Sequence, residues 1–179
     1  LGDLTADKPK CMVSIAGIPL LERITAVYRA AGYRQIHVVT GYCHDRVNLP
    51  GLEYHKNAEF ASTGEVYSLW QAAAALSGEV VISYGDVLFR KYLLDELTNE
   101  SHDIGIVVDS RAQVTAANRS IDRVWCSEPH TRHSFYRHIK LNRISFGAAD
   151  VPADGEWAGI LRLTTEGSRR VKQCLLEWS

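Results

Sequence analysis

The apolar run Glu79-Val-Val-Ile-Ser-Tyr84 constrains this chain more than any other stretch. Its Val-Val-Ile core argues for a strand buried on both faces, and such a strand needs covering elements on each side. The flanking sequence supplies them. Pro19 sits where a first-turn proline is tolerated, and Leu20, Leu21, Ile24, Val27, Tyr28 and Ala31 recur at helical spacing before Gly32 supplies a left-handed stop. Gln35-Ile-His-Val-Val-Thr40 reads as a buried strand ending at Gly41-Tyr42, and Leu52-Glu-Tyr-His-Lys56 as a short one. A helix is expected from about Gly64 to Leu76, with Val66, Leu69, Trp70, Ala73 and Leu76 on one side. Lys91 to Thr98 reads as a helix and Asp103 to Val108 as a strand. Strands alternating with helices of this length predict an α/β fold with right-handed crossovers and a mainly parallel sheet.

The second half is less regular. Arg123 to Trp125, Ile139 to Phe146 and Gly159 to Leu163 are candidate strands, and Thr165 to Trp178 carries a helical pattern through Val171, Leu175 and Leu176. No repeat, low-complexity tract or linker interrupts the 179 residues, so a single domain is expected over 1–179. A net charge of -1 gives no electrostatic reason to expect nucleic acid or an anionic membrane as partner. Cys11, Cys43, Cys126 and Cys174 are too scattered to suggest a zinc site or a disulfide framework, which favours reduced thiols and a cytoplasmic location. The apolar stretches, such as Gln71 to Leu76, are far too short to span a bilayer.

Chemistry enters after the most apolar strand, at Tyr84-Gly85-Asp86. Ligands of open α/β sheets sit beyond the carboxyl ends of strands. There Gly85 lets a ligand approach the backbone, and Asp86 offers a carboxylate suited to Mg²⁺ that bridges phosphate oxygens. The same dipeptide also serves as an ordinary turn that caps the following helix.

At the other end of the sequence stand Leu1, Thr5 and Pro9-Lys10, then Gly17-Ile-Pro-Leu20. This pattern resembles the back half of the nucleotidyltransferase signature, in which a glycine-rich loop ends in Arg-Leu and leads through Thr and Pro-Lys to a Gly-x-Pro-Leu helix start. The resemblance implies a three-layer αβα Rossmann-like fold with a mainly parallel mixed sheet. It also implies that the chain begins after the phosphate-cradling loop and stops before a second metal-binding aspartate. By the same resemblance Asp86 is similar to the family's metal-binding aspartate, and Lys10 is its lysine for non-bridging phosphate oxygens. The alternative for Lys10 is a solvated surface lysine, which is the reading for its neighbour Lys8.

Asn57-Ala-Glu-Phe-Ala-Ser-Thr63-Gly64-Glu-Val-Tyr67-Ser68-Leu69 resembles the segment beside the nucleotide in choline-phosphate and phosphonate cytidylyltransferases. The resemblance brings the Thr63 and Ser68 hydroxyls to base or ribose, and helix capping is the competing role. Gly155-Glu156-Trp157-Ala-Gly159 resembles a segment near the acceptor pocket of nucleotidyltransferase domains fused to phosphoenolpyruvate mutase. A carboxylate and an indole face suit an ammonium group, while a core Trp157 and a strand-edge Glu156 are the plainer reading. Asp109 is a further candidate for that ammonium by position. His130, His133 and His138 match no zinc spacing, and Arg132 or Arg137 is placed to neutralise an anionic acceptor.

Together the resemblances imply transfer of CMP from CTP to a small phosphonate or phosphomonoester, such as 2-aminoethylphosphonate, with Mg²⁺ as cofactor and pyrophosphate as product. Fusion to or association with a phosphonate-pathway enzyme goes with that reading. A sugar-1-phosphate nucleotidyltransferase and a non-catalytic nucleotide-binding module of the same fold are the alternatives.

Overall fold

The computed structural model describes residues 2–99, 101–111, 121–131, 138–147 and 152–178. The chain forms two compact units, Leu1–Gly105 with Leu161–Ser179, and Ile106–Ile160.

The first unit opens with a small hairpin of β1 (Ser14–Ile15) and β2 (Ile18–Pro19), paired antiparallel. Its two-residue turn holds Ala16 at φ 49° and Gly17 at φ 79°, the positive values that a primed hairpin turn demands. Helix α1 (Leu20–Ala30) follows directly and buries Leu20, Leu21, Ile24, Thr25 and Tyr28 along one stripe. It stops where expected, with Gly32 at φ 97° just beyond. Strands β3 (His37–Thr40) and β4 (Glu53–Lys56) then pair in parallel, His37 opposite Glu53 and Thr40 opposite Lys56.

The helix expected over 64–76 divides in two. Helix α2 runs Glu65–Gln71, the backbone leaves helical geometry at Ala72 (φ −104°, ψ 15°), and a 3₁₀ turn covers Ala73–Ala75. Hydrophobic periodicity runs through the break because the alanines fit either geometry.

Strand β5 (Val80–Ser83) is packed on both faces, as its composition requires. Val81 packs against the cluster of Leu20, Ile24, Tyr28 and Leu94, the last from α3 (Lys91–Asn99). Val80 and Ile82, which point the other way, pack against Ala73, Leu76, Leu163 and Leu175. At the strand's entrance Arg162, with a side chain only 7% exposed, holds Glu79 at 2.8 Å.

The remaining strands are β6 (Ile104–Asp109), β7 (Asp122–Cys126), β8 (Leu141–Phe146) and β9 (Gly155–Leu163); α4 (Thr165–Trp178) ends the chain. β9 begins in the second unit and ends in the first, and β5 pairs with it. In the second unit β7 pairs antiparallel with β8 and with β9, and β6 pairs with β9. Gly155 is obligatory there, since a Cβ would lie 2.7 Å from the Asp109 carbonyl oxygen.

The fold is α/β with mixed strand pairing, but the mainly parallel sheet does not emerge. Of the ladders with a defined register only β3–β4 is parallel; β1–β2, β7–β8 and β7–β9 are antiparallel. The reason is topological. All described α-helices lie in the first unit, so the described part of the second offers no helix for the crossover that parallel neighbours require. Among the described residues no helix is long and apolar enough to cross a membrane.

The start of α4 yields a stability test. Thr164 caps the helix by accepting from the Gly167 amide at 3.1 Å, and its hydroxyl donates to the Asp103 carboxylate at 3.0 Å. That closeness leaves no room for a side chain: a Cβ on Gly167 would sit 2.1 Å from the Asp103 carbonyl oxygen. Helix propensity alone would favour alanine by about 1 kcal/mol. We expect the clash to win, with Gly167→Ala losing about 1–3 kcal/mol in urea unfolding.

Candidate active site

Three segments far apart in sequence meet in the first unit. Thr5, Lys8, Pro9, Lys10 and Cys11 from the N-terminal segment join Tyr42, Gly85 and Asp86 around a cleft of about 400 Å³. It lies past the carboxyl ends of β3 and β5, which place Tyr42 and Gly85-Asp86 respectively. Lys10 Nζ stands 3.6 Å from the Asp86 carboxylate, and both side chains remain well exposed, at 62% and 43%. An exposed pair of this kind contributes only about 0–1 kcal/mol, so a ligand can take either partner cheaply.

Lys8 also lines the cleft, its side chain 42% exposed. Pro9, with φ −70° and ψ 157°, separates the two lysines and leads into the 3₁₀ turn that starts at Lys10. Cys11, like Tyr42, is a lining residue without a forecast role. Burial pushes its thiol above the ordinary range and the Asp86 charge adds to this, against a backbone hydrogen bond that lowers it. A thiol held protonated is a wall of the site rather than a nucleophile. At Gly85 a Cβ would meet the Cys11 Cβ at 3.6 Å, an ordinary contact, so the chain's own packing does not demand glycine there.

Thr63 and Ser68 are not among the cleft's lining residues. Their hydroxyls instead surround Asn57, which is 1% exposed. The Asn57 amide donates to Thr63 Oγ1 at 3.0 Å and to Ser68 Oγ at 3.1 Å, while its carbonyl oxygen accepts from the Glu59 amide at 2.9 Å. The two hydroxyls in turn donate to the Glu59 and Gly64 carbonyls at 2.7 and 3.3 Å. Asn57 thereby fixes the turn that leads into α2. Its signal was an asparagine between a strand and a Gly-containing loop, where side-chain amides replace missing backbone partners.

Asp109, Glu156 and Trp157 belong to the second unit. Asp109 ends β6, is exposed, and accepts from the Arg111 amide at 2.9 Å. Both of the others lie inside β9, which starts four residues earlier than the sequence indicates. Glu156 pairs in register with Arg123. Consecutive strand residues point to opposite faces, so Glu156 and Trp157 do not close on one ammonium. The indole is half-buried and donates to the Ile160 carbonyl at 3.1 Å, across Gly159 at φ 72°. Arg132, His133 and Arg137 lie outside the described residues.

Residues 5–121 match the model of the MobA-like NTP transferase domain. The chain belongs to that family. A CTP:phosphoglutamine cytidylyltransferase of Campylobacter jejuni is 27% identical over 117 residues, 59% of this chain and 46% of the relative. The chain thus spans about half the length of that curated relative. Among solved structures, the inositol-1-phosphate CTP transferase of T. maritima superposes with a TM-score of 0.72 at 18% identity, over 94% of this chain and 67% of that one. The CTP:phosphocholine cytidylyltransferase of Streptococcus pneumoniae gives 0.64 at 16% identity, covering 99% and 71%. At these identities the two structures speak for the nucleotidyltransferase fold.

An NTP transferase domain raises the question of a divalent cation, and the residues can be tested for one. Among the described residues no group of three or more His, Cys, Asp or Glu stands ready to cage an ion. Magnesium does not need such a cage: it keeps several waters and is held by one or two carboxylates plus substrate phosphates. Asp86, an exposed carboxylate in a cleft that also presents Lys8 and Lys10, fits that mode.

The Asn57 centre gives a second test. Asn57→Ala leaves the Glu59 amide without its partner and removes both donors to the hydroxyls. We expect a loss of about 2–3 kcal/mol in urea unfolding, with Thr63→Ala or Ser68→Ala costing about 1 kcal/mol or less.

Proposed function

We propose that the chain is the nucleotide-handling part of a cytidylyltransferase, which transfers CMP from CTP to a small phosphomonoester or phosphonate and releases pyrophosphate. One observation carries the reading: Lys10 and Asp86, seventy-odd residues apart, meet at 3.6 Å in one cleft lined by a second lysine. Cations for phosphate oxygens and a carboxylate for a metal are the groups that phosphoryl transfer asks of a protein. The relatives are named for CTP and for phosphoglutamine, phosphocholine and inositol-1-phosphate, which have a phosphorylated small acceptor in common.

The reaction is an in-line displacement. An acceptor oxygen, already ionised at neutral pH, attacks the α-phosphorus of CTP and the bond to pyrophosphate breaks. No general base is required, and the chain's contribution is placement and charge. Lys10 exchanges the Asp86 carboxylate for polyphosphate oxygens, a swap made cheap by the exposure of both. Lys8, which also lines the cleft, adds a second positive charge. Asp86, once released, is free to hold a magnesium ion, which when bound supplies charge neutralisation for the departing pyrophosphate. Cys11 and Tyr42 complete the walls.

The acceptor's reacting group is a phosphate or phosphonate, which the relatives' acceptors have in common. Glu156 and Trp157, consecutive on β9, give no joint seat for an ammonium elsewhere on the acceptor, so 2-aminoethylphosphonate draws no support from them. The free thiols of Cys11, Cys43, Cys126 and Cys174 fit our placement of the reaction in the cytoplasm.

Isothermal titration of the chain with Mg·CTP, Mg·ATP and Mg·GTP tests the nucleotide. CTP should bind tightest; a preferred purine would favour a sugar nucleotidyltransferase instead, and no binding of any nucleotide would sink the reading. Asp86→Asn preserves shape and removes charge. In the full-length enzyme it should lower turnover by about two to three orders of magnitude. The melting temperature should stay within the small shift expected from losing an exposed ion pair. Unchanged turnover would leave Asp86 as an ordinary turn residue.

A further inference from the structure

The segment that carries both lysines needs something to hold it in place, and Tyr42 is built to do so. Its hydroxyl donates to the Ala6 carbonyl oxygen at 2.6 Å, a contact between residues thirty-six positions apart. Among the described residues upstream of Pro9, the bonds from Thr5 to Gly2 and from the Ala6 amide to Asp3 are internal to the segment. They shape the segment without fixing where it lies.

The backbone on both sides of Tyr42 is specialised. Before it, a Cβ on Gly41 would lie 2.5 Å from the Phe60 Cβ and 2.8 Å from its Cγ, contacts with the root of a side chain that cannot swing away. After it, Cys43 adopts the left-handed region at φ 47°, unusual for a residue other than glycine. Phe60 meets the Tyr42 ring edge-on with centroids 6.4 Å apart. These features turn the chain sharply at the end of β3 and aim Tyr42 at the N-terminal segment, while its ring lines the cleft. From Ala6 the constraint passes to the lysines through Pro9, whose ring fixes φ, and then through the 3₁₀ turn in which Met12 donates to Pro9 and Val13 to Lys10.

We infer that Tyr42 is a positioning residue: its hydroxyl latches Ala6 and thereby sets where Lys8 and Lys10 stand in the cleft. The ligand half of this inference rests on the proposed nucleotide reading; the latch itself does not. Any anion-binding role of the lysines would depend on it equally.

Tyr42→Phe removes the hydroxyl and keeps the ring. Trypsin reports the segment directly, because it cleaves after Lys10, whereas Pro9 blocks cleavage after Lys8. Cleavage after Lys10 should accelerate roughly two- to tenfold, the population change that one neutral hydrogen bond supplies. Cleavage after Arg169 and Arg170 in α4, together with the melting temperature, should stay as in the wild type. Affinity for Mg·CTP by titration should fall by a similar factor. Unchanged cleavage after Lys10 would overturn the latch. Faster cleavage with unaltered Mg·CTP affinity would overturn the positioning role. Faster cleavage when even the wild type binds no CTP would support the latch and remove the cytidylyl reading alone. Gly41→Ala provides a second route: by displacing Phe60 it should disturb Tyr42 and reproduce the faster cleavage with the phenol still present.

Discussion

The first unit depends on one strand being gripped from both sides. Val81 of β5 enters the cluster built from α1 and α3, while Val80 and Ile82 enter the cluster built from the 3₁₀ turn, β9 and α4. Four residues cannot drift when alternate side chains are committed to different cores, because a one-residue slip would exchange every partner. The chain beyond Ser83 therefore leaves the strand at a fixed point, and Gly85-Asp86 stands there. The carboxylate is exposed, yet its position is set by burial only a few residues earlier, which is how an α/β fold combines a rigid frame with an accessible group.

This dependence also explains what could be read in advance. The alternation of Val-Val-Ile with amphipathic helices was legible because its cause, two-sided burial, is written in composition and period. So was the end of α1, where the stop at Gly32 rests on a backbone conformation that glycine marks. The pairing of strands in the second unit was not legible. Period-two patterns announce a strand but not its neighbour, and the partners of β7 are set by connections whose directions no local residue encodes. The early start of β9 was hidden for a similar reason: Gly155 looks like a turn residue, although it serves to let the Asp109 backbone approach.

At the candidate site the same division holds. Asp86 and Lys10 could be named because each carries charge at a position a motif singles out. Thr63 and Ser68 could be named too, but their hydroxyls serve Asn57, and sequence could not choose between capping and ligand contact since one chemistry suits both. Lys8 and Tyr42 escaped for want of geometry. A lysine gains meaning from the cleft it lines, and a tyrosine after a strand from the carbonyl its hydroxyl finds across the fold.

The electrostatics of the cleft depend on exposure more than on strength. A buried Lys–Asp pair would have to be dismantled at a cost of several kcal/mol before either group could meet a ligand. The pair formed by Lys10 and Asp86 is screened, and solvent stands ready to replace either member. Arg162 and Glu79 show the contrast within the same unit. There the guanidinium is buried, also donates to the His102 carbonyl, and serves the frame. Unequal burial of two ion pairs at opposite ends of β5 thus separates the labile charges from the structural ones. An exposed pair would not stay in register by itself, because long side chains on a loose segment sample many arrangements. Its usefulness depends on neutral, directional contacts nearby, and the phenol of Tyr42 on the Ala6 carbonyl is of that kind: too weak to stabilise the fold appreciably, yet enough to determine where two cations stand.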